Sequence, residues 1–284
     1  MPDEKRRATY KMWITLAGSL LTLQFNRTIA IVLLLATLVW GLGNGVLAWS
    51  GMGFLGLLAL VAALHVAYRS HPDIRRATEI LLVAGVVALA LQQAPGFDNP
   101  KVLDNVYAGP KSAAFSMYFN LDKALIPFVL LACMPTLFSS SPVRSPGKWG
   151  WFLLVLAVPM LLWGAVLAGG LQLETHNPPW LWSFMLANLF FVSLAEEALF
   201  RGYLQQRLAG VMSPWLALAV SALLFGALHV SGGAMLMAFA ALAGLLYGLA
   251  WMWSGKLWVA TLFHFGLNLY HLLFFTYPML QRGV

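Results

Sequence analysis

Residues 180–201 read WLWSFMLANLFFVSLAEEALFR, an apolar run that ends in two adjacent carboxylates, Glu196 and Glu197, and a basic residue, Arg201. No charged residue precedes the glutamate pair within this run. A charge near the centre of a bilayer costs at least ~2.5–3.5 kcal/mol by insertion scales, so such residues are rare and usually functional. The stretch therefore predicts a membrane-spanning helix that carries a functional site.

The composition of the whole chain is that of a membrane protein. Of its 284 residues, 61% are hydrophobic and 10% are charged, with a mean hydropathy of +0.78. A soluble domain carries about 25% charged residues. The net charge of +7 comes from basic residues spread over short loops. Basic residues in such loops orient a protein in the membrane, so the charge does not indicate nucleic-acid binding. The single cysteine, Cys133, excludes an intramolecular disulfide.

The apolar segments predict an all-α, polytopic bundle of transmembrane helices. A span needs ~20 apolar residues. Nine segments approach that length and give about 8–9 spans. The third and fourth segments are short. The nine segments are 29–49, 53–68, 77–93, 124–138, 150–170, 181–201, 214–230, 233–253 and 257–276.

The same segments suggest how the chain is organised. We expect an N-terminal transmembrane region over 1–146, in which residues 1–27 are cytoplasmic and partly interfacial and loop 94–123 lies outside. A catalytic core follows over 147–276 in the last four to five helices, and 277–284 form a short tail. Basic residues fall mainly on the loops of one side, which predicts a cytoplasmic N-terminus.

Polar residues in the last spans recur at helical spacing. Glu197 and Arg201 are four residues apart, which allows an ion pair on one helix face. The same spacing separates two further pairs, namely Phe225 with His229 and His264 with Asn268. Heights above the cytoplasmic span ends are ~18 Å for Glu196, ~22 Å for His229, ~12 Å for His264 and ~18 Å for Asn268, at 1.5 Å per residue. These groups are therefore predicted to meet in one layer of the membrane.

Such a layer combines groups for general-base catalysis with groups that stabilise an oxyanion. A carboxylate and an imidazole can activate water as a general base, and a second imidazole with an amide can donate to an oxyanion. Arg201 would hold Glu197 in a structural role and leave Glu196 as the reactive carboxylate. Two other functions are open: a proton- or ion-coupled transporter that uses the buried carboxylates, and a catalytically inactive scaffold with a buried polar network.

Three motifs, present in order, resemble those of the CPBP family of CAAX-protease-like (Abi) intramembrane proteases. They are Glu196-Glu197-x-x-x-Arg201, Phe225-x-x-x-His229 and His264-x-x-x-Asn268, and the resemblance covers roughly 147–276. The resemblance implies a glutamic endopeptidase in which Glu196 and His229 activate water. It further implies that Glu197 and Arg201 orient the site, and that His264 and Asn268 hold the oxyanion.

The resemblance also sets expectations for cofactors, partners and location. We expect no cofactor. A zinc site is an alternative that is not favoured, because the chain lacks a His-Glu-x-x-His motif. The expected partners are a membrane-associated protein or peptide substrate and the lipid bilayer, without nucleic acid, and the expected location is a bacterial inner membrane. The substrate, its prenylation and the oligomeric state are not specified by the sequence.

The remaining polar residues receive structural interpretations. Phe225 is predicted to shape the pocket around His229. His65, His71 and His176 fall at or near loops and are expected to be solvated. His271 lies outside the motifs and is expected to pack or to lie at the interface. The Gly244-x-x-x-Gly248 spacing predicts a close helix contact.

Overall fold

The computed structural model describes residues 2–143 and 146–281, with side chains from residue 10 onward. Regular structure in this part is helical apart from one two-stranded sheet. The first helices and the strands are α1 (Pro2–Thr22), α2 (Arg27–Gly43), α3 (Trp49–Ala67), α4 (Pro72–Ala90), β1 (Lys101–Val106), β2 (Phe115–Tyr118), α5 (Leu121–Ala124) and α6 (Ile126–Cys133). The later helices are α7 (Gly147–Leu167), α8 (Leu181–Ala209), α9 (Pro214–Ala227), α10 (Gly233–Ser254) and α11 (Leu257–Phe274).

The spans agree only in part with the sequence prediction. Within the described residues, five segments are long and apolar enough to cross a membrane, namely α3, α7, α8, the stretch Val230–Ser254 that contains α10, and α11. Helices α2 and α9 are apolar but shorter. The predicted span 124–138 is wrong as a single crossing helix, because α6 has 8 residues and reaches only ~12 Å. The chain is a multi-pass, helical membrane protein.

The described residues form two compact units. The first contains the chain up to Pro100 together with 118–135 and 190–195. The second contains 101–117, 136–189 and the chain from Glu196 onward. The second unit therefore holds the glutamate pair and both later motifs.

Helix α1 is part of the core of the first unit. Its side chains Met12, Trp13, Leu16 and Leu20 are at most 1% exposed. They recur at a spacing of three to four residues, which gives a helix one apolar face. The Ser19 hydroxyl donates to the Ala30 carbonyl at 2.6 Å, which ties α1 to α2. One face of α1 therefore packs against the protein, while Ile14 and Leu21 on the helix stay exposed.

In the second unit, the C-terminal tail is tied to two loops. The amide of Gln281 donates to the Lys111 carbonyl at 2.8 Å, and the amide of Leu280 donates to the Gly170 carbonyl at 3.2 Å. The amide of Tyr277 donates to the Ser112 hydroxyl at 2.9 Å. The tail is thus an integral part of this unit up to Gln281, and residues 282–284 lie outside the described part.

A buried carboxylate organises the same loops. Glu174 accepts hydrogen bonds from the Ser112 hydroxyl at 2.7 Å and from the Lys111 amide at 2.9 Å. Its Oε2 also lies 3.0 Å from His176 Nε2, and His176 Nδ1 donates to the Leu272 carbonyl at 2.6 Å. Burial alone would raise the pKa of Glu174, but these hydrogen bonds outweigh it and lower the pKa. Glu174 thus connects the loop around Ser112 to the end of α11.

The depressed pKa of Glu174 gives a pH-dependent stability. A carboxylate of this kind stabilises the fold above its unfolded pKa of 4.5, and the contribution is lost as pH falls through the lower folded pKa. We expect Glu174→Gln to cost about 1–3 kcal/mol at pH 7 and less at pH 3, because it removes charge-assisted hydrogen bonds. Thermal unfolding in detergent across this pH range measures the difference. Asp104→Asn, at an exposed carboxylate, is the control, and an equal loss at both pH values would contradict the expectation.

Two histidines expected to be solvated are buried instead. His65 is 5% exposed, and its Nδ1 lies 2.9 Å from the Thr78 hydroxyl of α4. The His176 side chain is 2% exposed, with the partners given above. His71 is exposed as predicted. The error arises because the polar partners of a loop residue come from distant segments, which the local sequence does not reveal. His271 Nε2 donates to the Thr276 carbonyl at 3.1 Å, in accord with a packing role.

Helices α9 and α10 pack closely because glycines face the contact. A Cβ at Gly226 would lie 2.6 Å from the Met237 carbonyl oxygen and 2.7 Å from Ala241 Cβ. A Cβ at Gly248 would lie 2.3 Å from Leu218 Cδ1. The close contact predicted from the Gly244-x-x-x-Gly248 spacing is confirmed.

We expect Gly226→Ala to destabilise the protein by about 1–3 kcal/mol, the usual cost of overpacking. The clash is with backbone of the neighbouring helix, so it is not relieved by a side-chain rotation. Gly56→Ala in α3 is the matched control, because no atom lies within 4 Å of its added Cβ. Unfolding midpoints in detergent should fall only for Gly226→Ala. Equal midpoints for the two variants would contradict the packing argument.

Candidate functional site

The helix that carries the glutamate pair is irregular on both sides of it. In α8, π-helical turns cover Ala187–Ser193 and Ala198–Gln205, and a short α-helical segment, Leu194–Glu197, lies between them. Turns of this type are rare and occur frequently at functional sites. The sequence pattern predicted a helix here and gave no sign of the wider turns.

The two glutamates have different surroundings. The side chain of Glu197 is fully buried, and its Oε1 lies 3.1 Å from Arg201 Nη1 and 2.8 Å from His264 Nδ1. The side chain of Glu196 is 26% exposed, and its Oε2 lies 4.0 Å from His264 Nε2. One carboxylate is therefore fixed by two partners, while its neighbour is accessible and loosely held.

Arg201 is fixed as firmly as its partner. Its guanidinium is fully buried and donates from Nη2 to the Gly244 carbonyl at 2.9 Å. The same group lies 4.7 Å from the ring centre of Phe225 and 5.4 Å from that of Tyr247, within range for cation–π contacts. A Cβ at residue 244 would lie 3.0 Å from Nη2, so the glycine there makes room for the guanidinium.

His264 is held in one orientation by a hydrogen bond and a stacked ring. Its Nδ1 donates to the Glu197 carboxylate, which leaves Nε2 facing Glu196. The Tyr247 ring stacks on the imidazole with centres 4.5 Å apart and planes 11° apart. Tyr247 is 1% exposed, and the sequence analysis missed it because an aromatic residue in an apolar helix carries no distinguishing signal.

His229 lies at the end of α9 beside the same cluster. Its Nδ1 donates to the Phe225 carbonyl at 2.9 Å, so Nε2 of the neutral ring keeps its lone pair. The Phe225 ring contacts His229 at 4.9 Å and His264 at 5.7 Å between ring centres. Among the described residues, the imidazole within 4.0 Å of the Glu196 carboxylate is that of His264 and not that of His229. Phe225 thus contacts both imidazoles.

Asn268 pairs with a residue that the sequence analysis did not single out. Its Nδ2 donates to Asn188 Oδ1 at 3.2 Å. Asn188 is 8% exposed and lies in the first π-helical turn of α8. The available signal was a single polar residue in the middle of an apolar span.

Of the four residues predicted from helix heights to meet, Glu196 and His264 lie 4.0 Å apart, and Glu197 with its partner Arg201 joins them through the contact of Glu197 with His264. His229 joins this cluster through Phe225, and Asn268 joins α8 through Asn188. No group of three or more His, Cys, Asp or Glu side chains in the described part of the chain is arranged to hold a metal ion.

A cavity of about 420 Å³ lies elsewhere in the second unit. Its lining includes Gln205, Trp251 and Ser140. Gln205 is eight residues beyond Glu197 on α8, or ~12 Å at the rise of an α-helix. Neither glutamate lines this cavity, which is therefore separate from the glutamate pair.

The fold and the cluster define a class: multi-pass helical membrane proteins with a buried carboxylate–imidazole centre. Residues 178–270 match the family model described as "Rce1-like: Type II CAAX prenyl endopeptidase Rce1-like". The match includes all three motifs and confirms the resemblance to the CPBP, or CAAX-protease-like, family over this segment. It supports a membrane peptidase. No curated protein and no solved structure matches the chain.

Proposed function

We propose that the chain is an intramembrane endopeptidase that hydrolyses a peptide bond of a membrane-associated substrate with water activated by Glu196 and His229. The observation that carries the proposal is the inequality of the two glutamates. A general base must reach both water and substrate, and Glu196 is the accessible member of the pair. Glu197, with both of its partners in place, orients the site.

The proposed reaction needs one proton acceptor. Glu196 takes a proton from water as the water oxygen attacks the carbonyl carbon of the substrate, and the carbonyl oxygen becomes an oxyanion. The carbon–nitrogen bond then breaks, and the Glu196 carboxylic acid returns the proton to the leaving nitrogen. The Nε2 lone pair of His229 is available to accept a second hydrogen bond from the attacking water.

The oxyanion requires donors, and the tautomer of His264 bears on this role. Because Nδ1 of His264 donates to Glu197, its Nε2 can donate only when the ring is an imidazolium. In our proposal, the His264 imidazolium donates from Nε2 to the oxyanion, and the Asn268 amide donates beside it.

The substrate in this proposal is a peptide anchored in the membrane. The matching family model is described as a CAAX prenyl endopeptidase, so a peptide with a prenylated cysteine near its C-terminus is the first substrate to test. A peptide that ends in an unmodified apolar helix is the second. In both peptides the membrane anchor would hold the scissile bond close to a site inside a multi-pass helical protein.

The test uses the full-length protein in proteoliposomes with two internally quenched peptides, one farnesylated in a Cys-aliphatic-aliphatic-X sequence and one ending in an apolar helix. We expect cleavage of at least one peptide, and mass spectrometry of the products identifies the bond. Cleavage should be retained without added metal. A folded wild-type protein that cleaves neither peptide would overturn the proposed function.

A further inference from the structure

Asn188 is a buried amide that faces a proposed oxyanion donor. Its Oδ1 accepts a hydrogen bond from Asn268 Nδ2 at 3.2 Å, across the contact between α8 and α11. Asn188 is 8% exposed, whereas Asn268 is half-buried and therefore accessible on another side. The pair thus has a buried member and an accessible member.

The orientation of the Asn268 amide decides whether it can stabilise an oxyanion. An asparagine side chain presents two N–H donors at one end and a carbonyl acceptor at the other. Rotation by 180° would place the carbonyl oxygen, with its partial negative charge, where a donor is needed. A hydrogen bond from one N–H to a fixed acceptor selects one orientation and leaves the second N–H of the same nitrogen free.

We propose that Asn188 is a positioning residue that fixes the Asn268 amide with its N–H groups toward the reacting carbonyl. This inference rests on the proposed peptidase function and extends it to a residue outside the three motifs. Asn188 precedes Glu196 by eight residues on α8. One helix would therefore supply both the base and the support for an oxyanion donor of α11.

The π-helical turn around Asn188 agrees with this role. The turn covers Ala187–Ser193 and ends just before the α-helical segment that carries the glutamates. A wide turn changes the direction in which each side chain leaves the helix axis. It therefore sets the angle between Asn188 and Glu196, which a regular helix would fix differently.

The test measures cleavage of the two quenched peptides by Asn188→Leu, Asn188→Ala and Asn188→Asp. Leucine and alanine remove the acceptor, and aspartate keeps an oxygen in its place. Misplacing a catalytic group by about 1 Å costs up to about 10²-fold, so we expect the first two variants to lose about 10- to 100-fold in kcat. KM should stay within about twofold, and Asn188→Asp should retain more activity than the other two.

A second series separates positioning from general destabilisation. In an Asn268→Ala background, Asn188→Ala should change kcat by less than about twofold, because residues that act through one another are not additive. The same loss in both backgrounds, or an unchanged kcat in Asn188→Leu and Asn188→Ala, would overturn the inference while wild-type activity upholds the proposed function. A wild type that cleaves neither peptide overturns both.

Discussion

Glu196→Gln is expected to abolish peptide cleavage while the protein stays folded. The amide keeps the shape of the side chain and cannot accept a proton, so the general base is lost. General acid–base catalysis contributes about 10²–10⁴-fold, and we expect a loss of kcat in that range or beyond. Folding should persist because the Glu196 side chain is 26% exposed and is not a partner of Arg201 at close range.

The measurement is kcat and KM in proteoliposomes, with the thermal unfolding midpoint measured on the same preparations. Glu79→Gln in α4 is the control of identical chemistry, and it should leave kcat unchanged. His229→Ala should also lower kcat, and the double variant should lose little more than Glu196→Gln alone, because both residues act on one water. A Glu196→Gln enzyme with wild-type kcat would exclude the proposed mechanism.

Glu197→Gln and Arg201→Met are each expected to destabilise the protein severely, and their combination less so. Removing one member of a buried ion pair leaves an uncompensated charge and costs about 3–5 kcal/mol. Both side chains are fully buried, so water cannot replace the missing partner. The double variant removes both charges at similar volume and should recover much of the lost stability.

Activity should not recover with stability in that double variant. Without the Glu197 carboxylate, His264 loses the hydrogen-bond acceptor of its Nδ1 proton, which holds the ring in its orientation. Unfolding midpoints in detergent give the interaction between the two substitutions, and the peptide assay gives the activity. Asp104→Asn, at the exposed Lys101–Asp104 pair, is the control and should change stability little. Additive losses in the double variant would contradict the account of a buried pair.

The site was predictable where its geometry is local or follows from helix length. The ion pair of Glu197 and Arg201 follows from a four-residue spacing, and it is present at 3.1 Å. The meeting of Glu196 with His264 followed from heights along two spans, and their side chains lie 4.0 Å apart. These predictions needed only the rise of a helix and the thickness of the membrane.

Other features depend on which helix faces and loops pack against each other, and the sequence alone does not show these contacts. Tyr247 and Asn188 became recognisable only through the rings and amides that they contact. The burial of His176 depends on Glu174 and on the distant Leu272 carbonyl.

The close pairing of Glu197 and Arg201 also bears on how the protein is made. During synthesis, α8 emerges long before its partner on α11, because His264 follows Glu197 by 67 residues. A ribosome-bound chain must therefore place a carboxylate in lipid while the later helices do not yet exist. Arg201, only four residues away, enters the membrane on the same helix and lowers the cost of partitioning the Glu197 carboxylate. The buried ion pair of the folded protein would thus also lower the cost of inserting this helix into the membrane.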